Sequence, residues 1–310
     1  MGLRAECGQE RAEWRLIFDF VLCGVPVLRN ARFRKLIWRP HMQVLALISR
    51  KGGTGKSTLA IGLAGAALES GHNVCVVEAD PLGTVSNWKR RRDRAAPRVE
   101  TVHDGLSLLA CLPSLAARGV TLAIIDTAGG WSETFNTAVY VADLCLITAR
   151  PSLADIEAAG PALTAVRAAK KPFAFVLNQA PIRSYRVGNA ASALCDAAAA
   201  SELRDVIALP AIAARSDHQD ALSLGLTVTE LAGDGKSAAE IRALWQWVKA
   251  RLGSLVGVET PTAVVAANAS AITQDGVRAD LTMPIIPAHH DADFGATTAA
   301  NQETALHAAG

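Results

Sequence analysis

Charged and aromatic residues are scarce in this chain, at 19% and 5% of its 310 residues. The net charge of only +2, from 31 basic and 29 acidic side chains, excludes a uniformly basic nucleic-acid wrapper, although such a total still allows a local basic patch. Half of the residues are hydrophobic, so a wholly disordered chain is excluded too. The length is enough for one large domain or two small ones.

Cysteines are few and widely spaced, and no pair has metal-ligand or C-x-x-C spacing. A chain of this length does not need disulfides for stability, so we expect reduced thiols in a cytosolic protein. Long apolar runs are also missing. The best candidate, residues 16–28, is 13 residues long and carries Asp19, whereas a membrane span needs about 20 apolar residues. Three glutamates precede this run where a signal peptide would need positive charge.

Charge divides the chain into three unlike segments. Residues 1–41 hold eight basic and four acidic side chains, and residues 254–310 hold one basic and six acidic ones. We interpret residues 1–41 as a spurious or optional extension from an upstream start, with a basic membrane-surface segment as the alternative. Residues 254–310 lack helical or strand periodicity and are predicted to be a mostly disordered acidic tail.

Between these ends, residues 42–253 alternate short apolar runs with helical patterns. The predicted strands are 44–49, 74–78, 122–126, 144–148 and 173–178, each apolar on both faces like a buried parallel strand. The predicted helices are 56–70, 84–94, 132–141, 153–170, 190–202 and 238–252. The pattern predicts one α/β domain, with a doubly wound, mostly parallel sheet and helices on both faces.

A glycine-rich segment, Arg50-Lys-Gly-Gly-Thr-Gly-Lys-Ser-Thr58, joins the first predicted strand to the first predicted helix. Its glycines let successive backbone N–H groups converge on an anion, and the helix N-terminus adds partial positive charge. Lys56 can reach the outer phosphates of a nucleotide, and the Ser57 hydroxyl is placed to ligate Mg²⁺. The predicted cofactor-binding residues of this loop are Gly52, Gly53, Thr54, Gly55, Lys56, Ser57 and Thr58.

The loop departs from the ordinary P-loop pattern, because Arg50 replaces its first glycine and a second lysine, Lys51, precedes Gly-Gly. In this respect residues 42–253 resemble the ParA/MinD family of deviant Walker A P-loop ATPases, and most closely its small ParA-type partitioning proteins. The resemblance implies ATP and Mg²⁺ as cofactors. It also implies that Lys51 reaches across a nucleotide-sandwich dimer to the partner's phosphates.

Acidic residues end the second and third predicted strands, at the edge where open parallel sheets bind ligands. The family usually has the sequence Asp-x-Asp-Pro-Gln-Gly here. This chain keeps Asp80, but it has Glu78 in place of the first Asp and Leu82 in place of the Gln. The resemblance implies that Asp80 orients the attacking water, although an Asp-Pro pair can also simply end a strand. Asp126 ends an apolar strand like a Walker B carboxylate, which holds Mg²⁺ directly or through water.

Asn178 ends the fifth predicted strand, and the resemblance implies that its amide contacts adenine. Asparagine after a strand is otherwise usually a turn residue. Basic residues form a further group of candidates: the run 89–94 is either a solvated helix face or a phosphate-contacting patch. The resemblance would place DNA contacts near Arg183, Arg186 and Arg215.

The sequence supports three candidate functions. The first is a ParA-type ATPase that forms an ATP-dependent homodimer, binds DNA non-specifically, is stimulated by a ParB-like DNA-binding protein and partitions a plasmid or chromosome. We would then expect it in the cytoplasm on the nucleoid. The second, a MinD-like membrane-positioning ATPase, needs a basic amphipathic C-terminal helix. The acidic tail argues against that, so no stable membrane association is expected. The third is an ATP-dependent metabolic ligase on the same scaffold, although the sequence identifies no substrate pocket.

Overall fold

The computed structural model describes residues 42–182, 185–198 and 206–256. Within this part of the chain the strands form one sheet in the order β3-β2-β4-β1-β5-β6-β7, and all neighbouring strands are parallel. The doubly wound α/β fold is therefore confirmed. The strands are β1 (Gln43–Ile48), β2 (Val74–Ala79), β3 (Arg98–Thr101), β4 (Leu122–Thr127), β5 (Leu144–Ala149), β6 (Phe173–Leu177) and β7 (Ile207–Ala208).

Helices cover both faces of the sheet and bury two separate apolar clusters against it. The helices on one face are α3 (Gly105–Ala117), α4 (Glu133–Val141), α5 (Leu153–Ala168) and α6 (Arg186–Ala198). Those on the other face are α1 (Lys56–Glu69), α2 (Thr84–Arg90), α7 (Asp217–Ser223), α8 (Val228–Leu231) and α9 (Lys236–Val256). Among these described helices, none has the length and apolarity that a membrane crossing requires.

Five described elements were missed from the sequence: β3, β7, α3 and the short helices α7 and α8. β3 lies at the edge of the sheet with a half-exposed, largely polar sequence, and β7 has only two residues, so neither has an apolar run. α3 contains Pro113, which usually interrupts a helix. Its start is nevertheless well defined, because the Asp104 carboxylate accepts a hydrogen bond of 2.7 Å from the backbone N–H of Ser107.

Two helices end differently from the sequence prediction. α2 stops at Arg90 rather than Arg94, so only part of the basic run is helical. α9 passes through Gly253 and ends at Val256, because Gly253 does not adopt the left-handed conformation of a terminating glycine. The segments 1–41 and 257–310, and Arg183, lie outside the described residues.

The sheet order brings the predicted site residues together. β1 lies between β4 and β5, and connections leave it toward both edges of the sheet. Ligands in such sheets bind at this switch point, beside the carboxyl ends of the strands. The glycine-rich loop and Asp80 follow strand ends on this side, and Glu78 and Asp126 lie near the carboxyl ends of β2 and β4.

Candidate functional site

The loop between β1 and α1 is shaped by glycines in left-handed conformations. Gly53 and Gly55 have φ angles of 75° and 86°, which residues other than glycine rarely adopt. Gly55 is also the N-cap of α1, and a Cβ atom there would collide with the Asn178 side chain. The backbone therefore curls at the N-terminus of a helix of 14 residues, as an anion-binding loop requires.

Side chains from the ends of β5 and β6 hold this loop in place. The Asn178 amide nitrogen donates to the carbonyl of Thr54 at 2.8 Å, and that of Gln179 donates to the carbonyl of Gly53 at 3.0 Å. The hydroxyls of Thr54 and Thr148 also lie 2.8 Å apart in a buried hydrogen bond. Asn178 thus supports the loop, whether or not it also contacts adenine. Gln179, a non-glycine residue with φ of 51°, was missed because it follows Asn178 in an ordinary turn sequence.

Beneath the loop, Lys56 and Asp126 lie close together in a buried environment. Burial lowers the pKa of Lys56, while the charges of Asp126 and Asp80 raise it. Burial raises the pKa of the fully buried Asp126 to about 7, against the lowering effect of the Ser57 hydroxyl and Lys56. Neither carboxylate oxygen of Asp126 has a hydrogen-bond partner of good geometry among the described residues.

This arrangement fits a divalent cation. A buried carboxylate without partners is costly, and a hard oxygen-preferring ion such as Mg²⁺ would remove that cost. Asp126 and the Ser57 hydroxyl are oxygen donors here, and the carboxylates of Asp80 and Glu78 are close enough to affect Asp126 electrostatically. In the part of the chain that the structure describes, no group of three His, Cys, Asp or Glu side chains could hold a metal. Mg²⁺ would therefore take its remaining ligands from phosphate and water, as it usually does.

The two acidic residues at the end of β2, Glu78 and Asp80, have different surroundings. Asp80 is half-buried, and its carboxylate accepts a hydrogen bond of 3.0 Å from the backbone N–H of Leu82. Glu78 is fully buried and accepts from the backbone N–H groups of Val85 and Ser86, at 2.6 and 3.2 Å, and from the Ser86 hydroxyl. Because the N-cap residue of α2 is a glycine without a cap side chain, Glu78 supplies the missing acceptors. The longer side chain at this position therefore anchors α2.

The second lysine of the loop is held by a residue that sequence reasoning missed. The Lys51 ammonium lies 2.8 Å from Oδ2 of Asp155, whose side chain is 1% exposed. The Arg150 guanidinium contacts the other oxygen, Oδ1, at 3.1 Å. The only sequence signal for Asp155 was the helix-start pattern Ser152-x-x-Asp155, which does not reveal a lysine 104 residues away.

The loop after β4 packs against the glycine-rich loop. The Arg50 guanidinium lies 5.0 Å from the centre of the Trp131 ring, and Trp131 contacts the buried Phe135 ring edge-on at 5.1 Å. A Cβ atom on Gly129 would lie 3.1 Å from the backbone nitrogen of Gly52, so the two backbones touch. The arginine that replaces the first P-loop glycine therefore joins these two loops.

Several basic candidates are engaged within the protein. Arg92 is buried and forms a two-pronged ion pair with Glu230, with both distances 2.7 Å, so neither a solvated face nor a phosphate contact describes it. Arg94 reaches the same carboxylate. Arg215 lies 2.7 Å from Glu240. Arg90, Arg91 and Arg186 are exposed; Arg90 donates to the Asn87 side chain and Arg91 to the carbonyl of Leu222.

Comparison of the sequence with known proteins identifies relatives of this chain. A family model described as VirC1 protein matches residues 42–168. The chain is 33% identical over 123 residues to the protein virC1 of Rhizobium radiobacter, which covers 38% of this chain and 53% of that protein. It is 35% identical over 128 residues to the chromosome-partitioning ATPase Soj of Thermus thermophilus, covering 38% of this chain and 50% of that protein. The chain thus spans about half the length of these relatives.

Among solved structures, the fold is similar to the septum site-determining protein MinD from Pyrococcus horikoshii, complexed with Mg-ADP. The two share 16% identity with a TM-score of 0.52, and the match covers 69% of this chain and 98% of the other. At this identity the likeness concerns the fold.

Proposed function

We propose that the chain is a ParA/MinD-type ATPase that binds ATP with Mg²⁺ at the loop Lys51–Thr58 and hydrolyses it to ADP and phosphate, because residues 42–168 match a VirC1 family model and the chain is similar to a partitioning ATPase. The observation that carries this proposal is Asp126, a buried carboxylate without a hydrogen-bond partner of good geometry among the described residues, beside Ser57 and Lys56. The similarity in fold to a protein whose structure holds Mg-ADP supports it.

Each side chain then has a role that its position supports. The backbone N–H groups of the loop and Lys56 bind the phosphates, while Ser57 and Asp126 hold Mg²⁺. When bound, Mg²⁺ supplies positive charge against the β- and γ-phosphate oxygens. Asp80 orients the water that attacks the γ-phosphorus as the bond to ADP breaks. Asn178, at the rim of the loop, contacts adenine through its carbonyl oxygen, since its nitrogen already donates to Thr54.

We further propose that the ATP-bound form is a homodimer in which Lys51 reaches the partner's phosphates. The dimer would bind DNA non-specifically and be stimulated by a ParB-like protein to partition a plasmid or chromosome, in the cytoplasm on the nucleoid. Among the described residues, the exposed Arg90, Arg91 and Arg186 are candidates for phosphate contacts. Similarity to a chromosome-partitioning ATPase supports this reading over the membrane and ligase alternatives.

Nucleotide binding and hydrolysis by the full chain test the proposal. Wild type should bind ATP in a Mg²⁺-dependent way, Lys56→Ala should lose binding, and the exposed Lys249→Ala should behave as wild type. Asp80→Ala should keep binding but lose hydrolysis and accumulate a dimer. Addition of DNA and the product of an adjacent gene should raise the rate, and DNA binding should weaken steeply with salt. A wild-type chain that fails to bind ATP with Mg²⁺ would overturn the assignment.

A further inference from the structure

Asp155 carries two cations at once, one on each carboxylate oxygen. The Lys51 ammonium is 2.8 Å from Oδ2, and Nε of Arg150 is 3.1 Å from Oδ1. The two cations therefore do not compete for one oxygen. Ser152 shares Oδ2 with Lys51 through its hydroxyl. When Lys51 leaves, each oxygen of Asp155 keeps one hydrogen-bond donor.

The position of Asp155 does not depend on either cation. It lies in the first turn of α5, where the N-cap residue Ser152 accepts a hydrogen bond from its backbone N–H and donates its hydroxyl to the carboxylate. Phe135, Ala159 and other core residues bury the sheet face on which α5 packs. Asp155 is thus a fixed, buried negative charge beside the loop.

The two cations differ from Asp155 in exposure. Their side chains are 33% exposed for Lys51 and 37% for Arg150, whereas that of Asp155 is 1% exposed. Lys51 can move into solvent, or toward a ligand, without uncovering the core. The energetic obstacle is instead the charge that it leaves behind, because a buried carboxylate that loses its counterion is strongly destabilising.

We propose that Arg150 is a positioning residue that neutralises Asp155 when Lys51 departs and so lets Lys51 exchange between Asp155 and a phosphate. That Lys51 has a phosphate to reach rests on the proposed function. Although burial raises the pKa of Asp155, hydrogen bonds from Lys51, Ser152 and Arg150 lower it to about 2. The carboxylate therefore stays charged at neutral pH and needs a remaining counterion.

The reactivity of Lys51 tests this exchange directly in the full-length, nucleotide-free protein. An amine-acylating reagent modifies a lysine only when its ammonium is released and deprotonated, and mass spectrometry gives the rate at Lys51. Arg150→Met should slow acylation of Lys51 by about fivefold or more, because Asp155 then holds its single remaining cation more tightly. Arg150→Lys should restore most of the rate, since it keeps a charge at this position.

A double-mutant cycle separates this role from a merely structural one. Asp155→Asn should raise the acylation rate above wild type, and adding Arg150→Met to it should change the rate by less than about twofold. If Arg150→Met slows acylation equally in the Asp155→Asn background, Arg150 does not act through Asp155 and the proposal fails. Arg118→Met, which removes a similarly exposed arginine paired with Glu100, should leave the rate at Lys51 unchanged.

Sedimentation with and without ATP and Mg²⁺ distinguishes this inference from the proposed function. If wild type dimerises with ATP, Arg150→Met should weaken the dimer by about fivefold or more, and Asp155→Asn should remove that effect. If the acylation cycle behaves as expected but wild type stays monomeric, the exchange of Lys51 stands and the proposed dimer falls. An unchanged acylation rate in Arg150→Met overturns the inference whatever the dimer does.

Discussion

The amide nitrogen of Asn178 lies 2.8 Å from the carbonyl oxygen of Thr54, which ties the end of β6 to a loop 124 residues earlier in the chain. Asn178 is 5% exposed, so water cannot easily replace this hydrogen bond. The residue implied to contact a nucleotide base is therefore also part of the support of the phosphate-binding loop. A base contact and loop geometry are coupled through one side chain.

Replacement of Asn178 by Ala should consequently weaken nucleotide binding even for a ligand without a base. Loss of one buried hydrogen bond is worth about 1 kcal/mol, or roughly a fivefold change in dissociation constant. Calorimetry should show this loss for inorganic triphosphate, and a larger one for ATP if the carbonyl oxygen contacts adenine. The exposed Asn189→Ala is the matched control. Unchanged triphosphate affinity in Asn178→Ala would contradict the supporting role.

Gly55 and Gly188 make a matched pair for the glycine requirement. At Gly55 the φ angle is 86° and a Cβ atom would meet Asn178, so Gly55→Ala should cost about 1 to 3 kcal/mol and reduce ATP affinity. Gly188 lies in α6, is not followed by a proline and has nothing within 4 Å of an added Cβ atom, so Gly188→Ala should be stabilising by about 0.5 to 1 kcal/mol. Urea denaturation of both variants measures the two effects. Equal changes in the free energy of unfolding for the two variants would show that a side chain at position 55 does not strain the loop backbone.

Trp131 should report on the contact between the two loops. Trp131 is 49% exposed, with the Arg50 guanidinium over its ring and the Phe135 ring edge-on to it, so opening of this contact would expose it further. Arg50→Ala should shift tryptophan emission to longer wavelength and cost about 0.5 to 1 kcal/mol. The shift should be absent when Trp131 is first replaced by Phe. A shift that persists in the Trp131→Phe background would locate the change at another tryptophan.

The parts of the site that were predicted from sequence are those whose signal is local. The loop Lys51–Thr58 comes just after the apolar strand β1, and Asp126 lies near the carboxyl end of the apolar strand β4. Parallel topology then brings the two strand ends together. Asp155, Gln179 and the partner of Arg92 were missed because each acts on a residue more than a hundred positions away. No local pattern marks such contacts. The edge strand β3 was missed because it lacks the apolar run by which buried strands are found.

Glu78 offers a test of the departure from the family pattern. Its carboxylate accepts from the N-terminal N–H groups of α2, so Glu78→Ala should cost about 1 to 2 kcal/mol, as loss of a helix cap does. Glu78→Asp, which restores the family residue, should recover only part of this loss because its shorter side chain reaches less far. Hydrogen exchange at Val85 and Ser86 should rise in both variants. Unaltered exchange there would mean that α2 does not depend on Glu78.

The ion pair between Arg92 and Glu230 should make stability depend on pH. Burial raises the pKa of Glu230, but hydrogen bonds from Arg92 and Thr227 outweigh this and lower it to about 2. The pKa in the unfolded chain is 4.5. The folded state therefore favours the ionised form, and this stabilisation is complete above pH 4.5 and is lost as the pH falls toward 2. The free energy of unfolding therefore changes with pH through this ion pair only under acid conditions, and it does not change around neutral pH.

Glu230→Gln leaves the buried Arg92 without its counterion, so it should cost about 3 kcal/mol at pH 7. The difference between wild type and variant should shrink between pH 4.5 and 2, because wild-type Glu230 becomes protonated there. Glu100→Gln removes the exposed pair with Arg118, which solvent screens, so its stability should stay close to that of wild type at any pH. Denaturation midpoints across this pH range measure both variants. If Glu230→Gln cost no more than Glu100→Gln at pH 7, Arg92 would not depend on Glu230 for its buried position between α2 and α8.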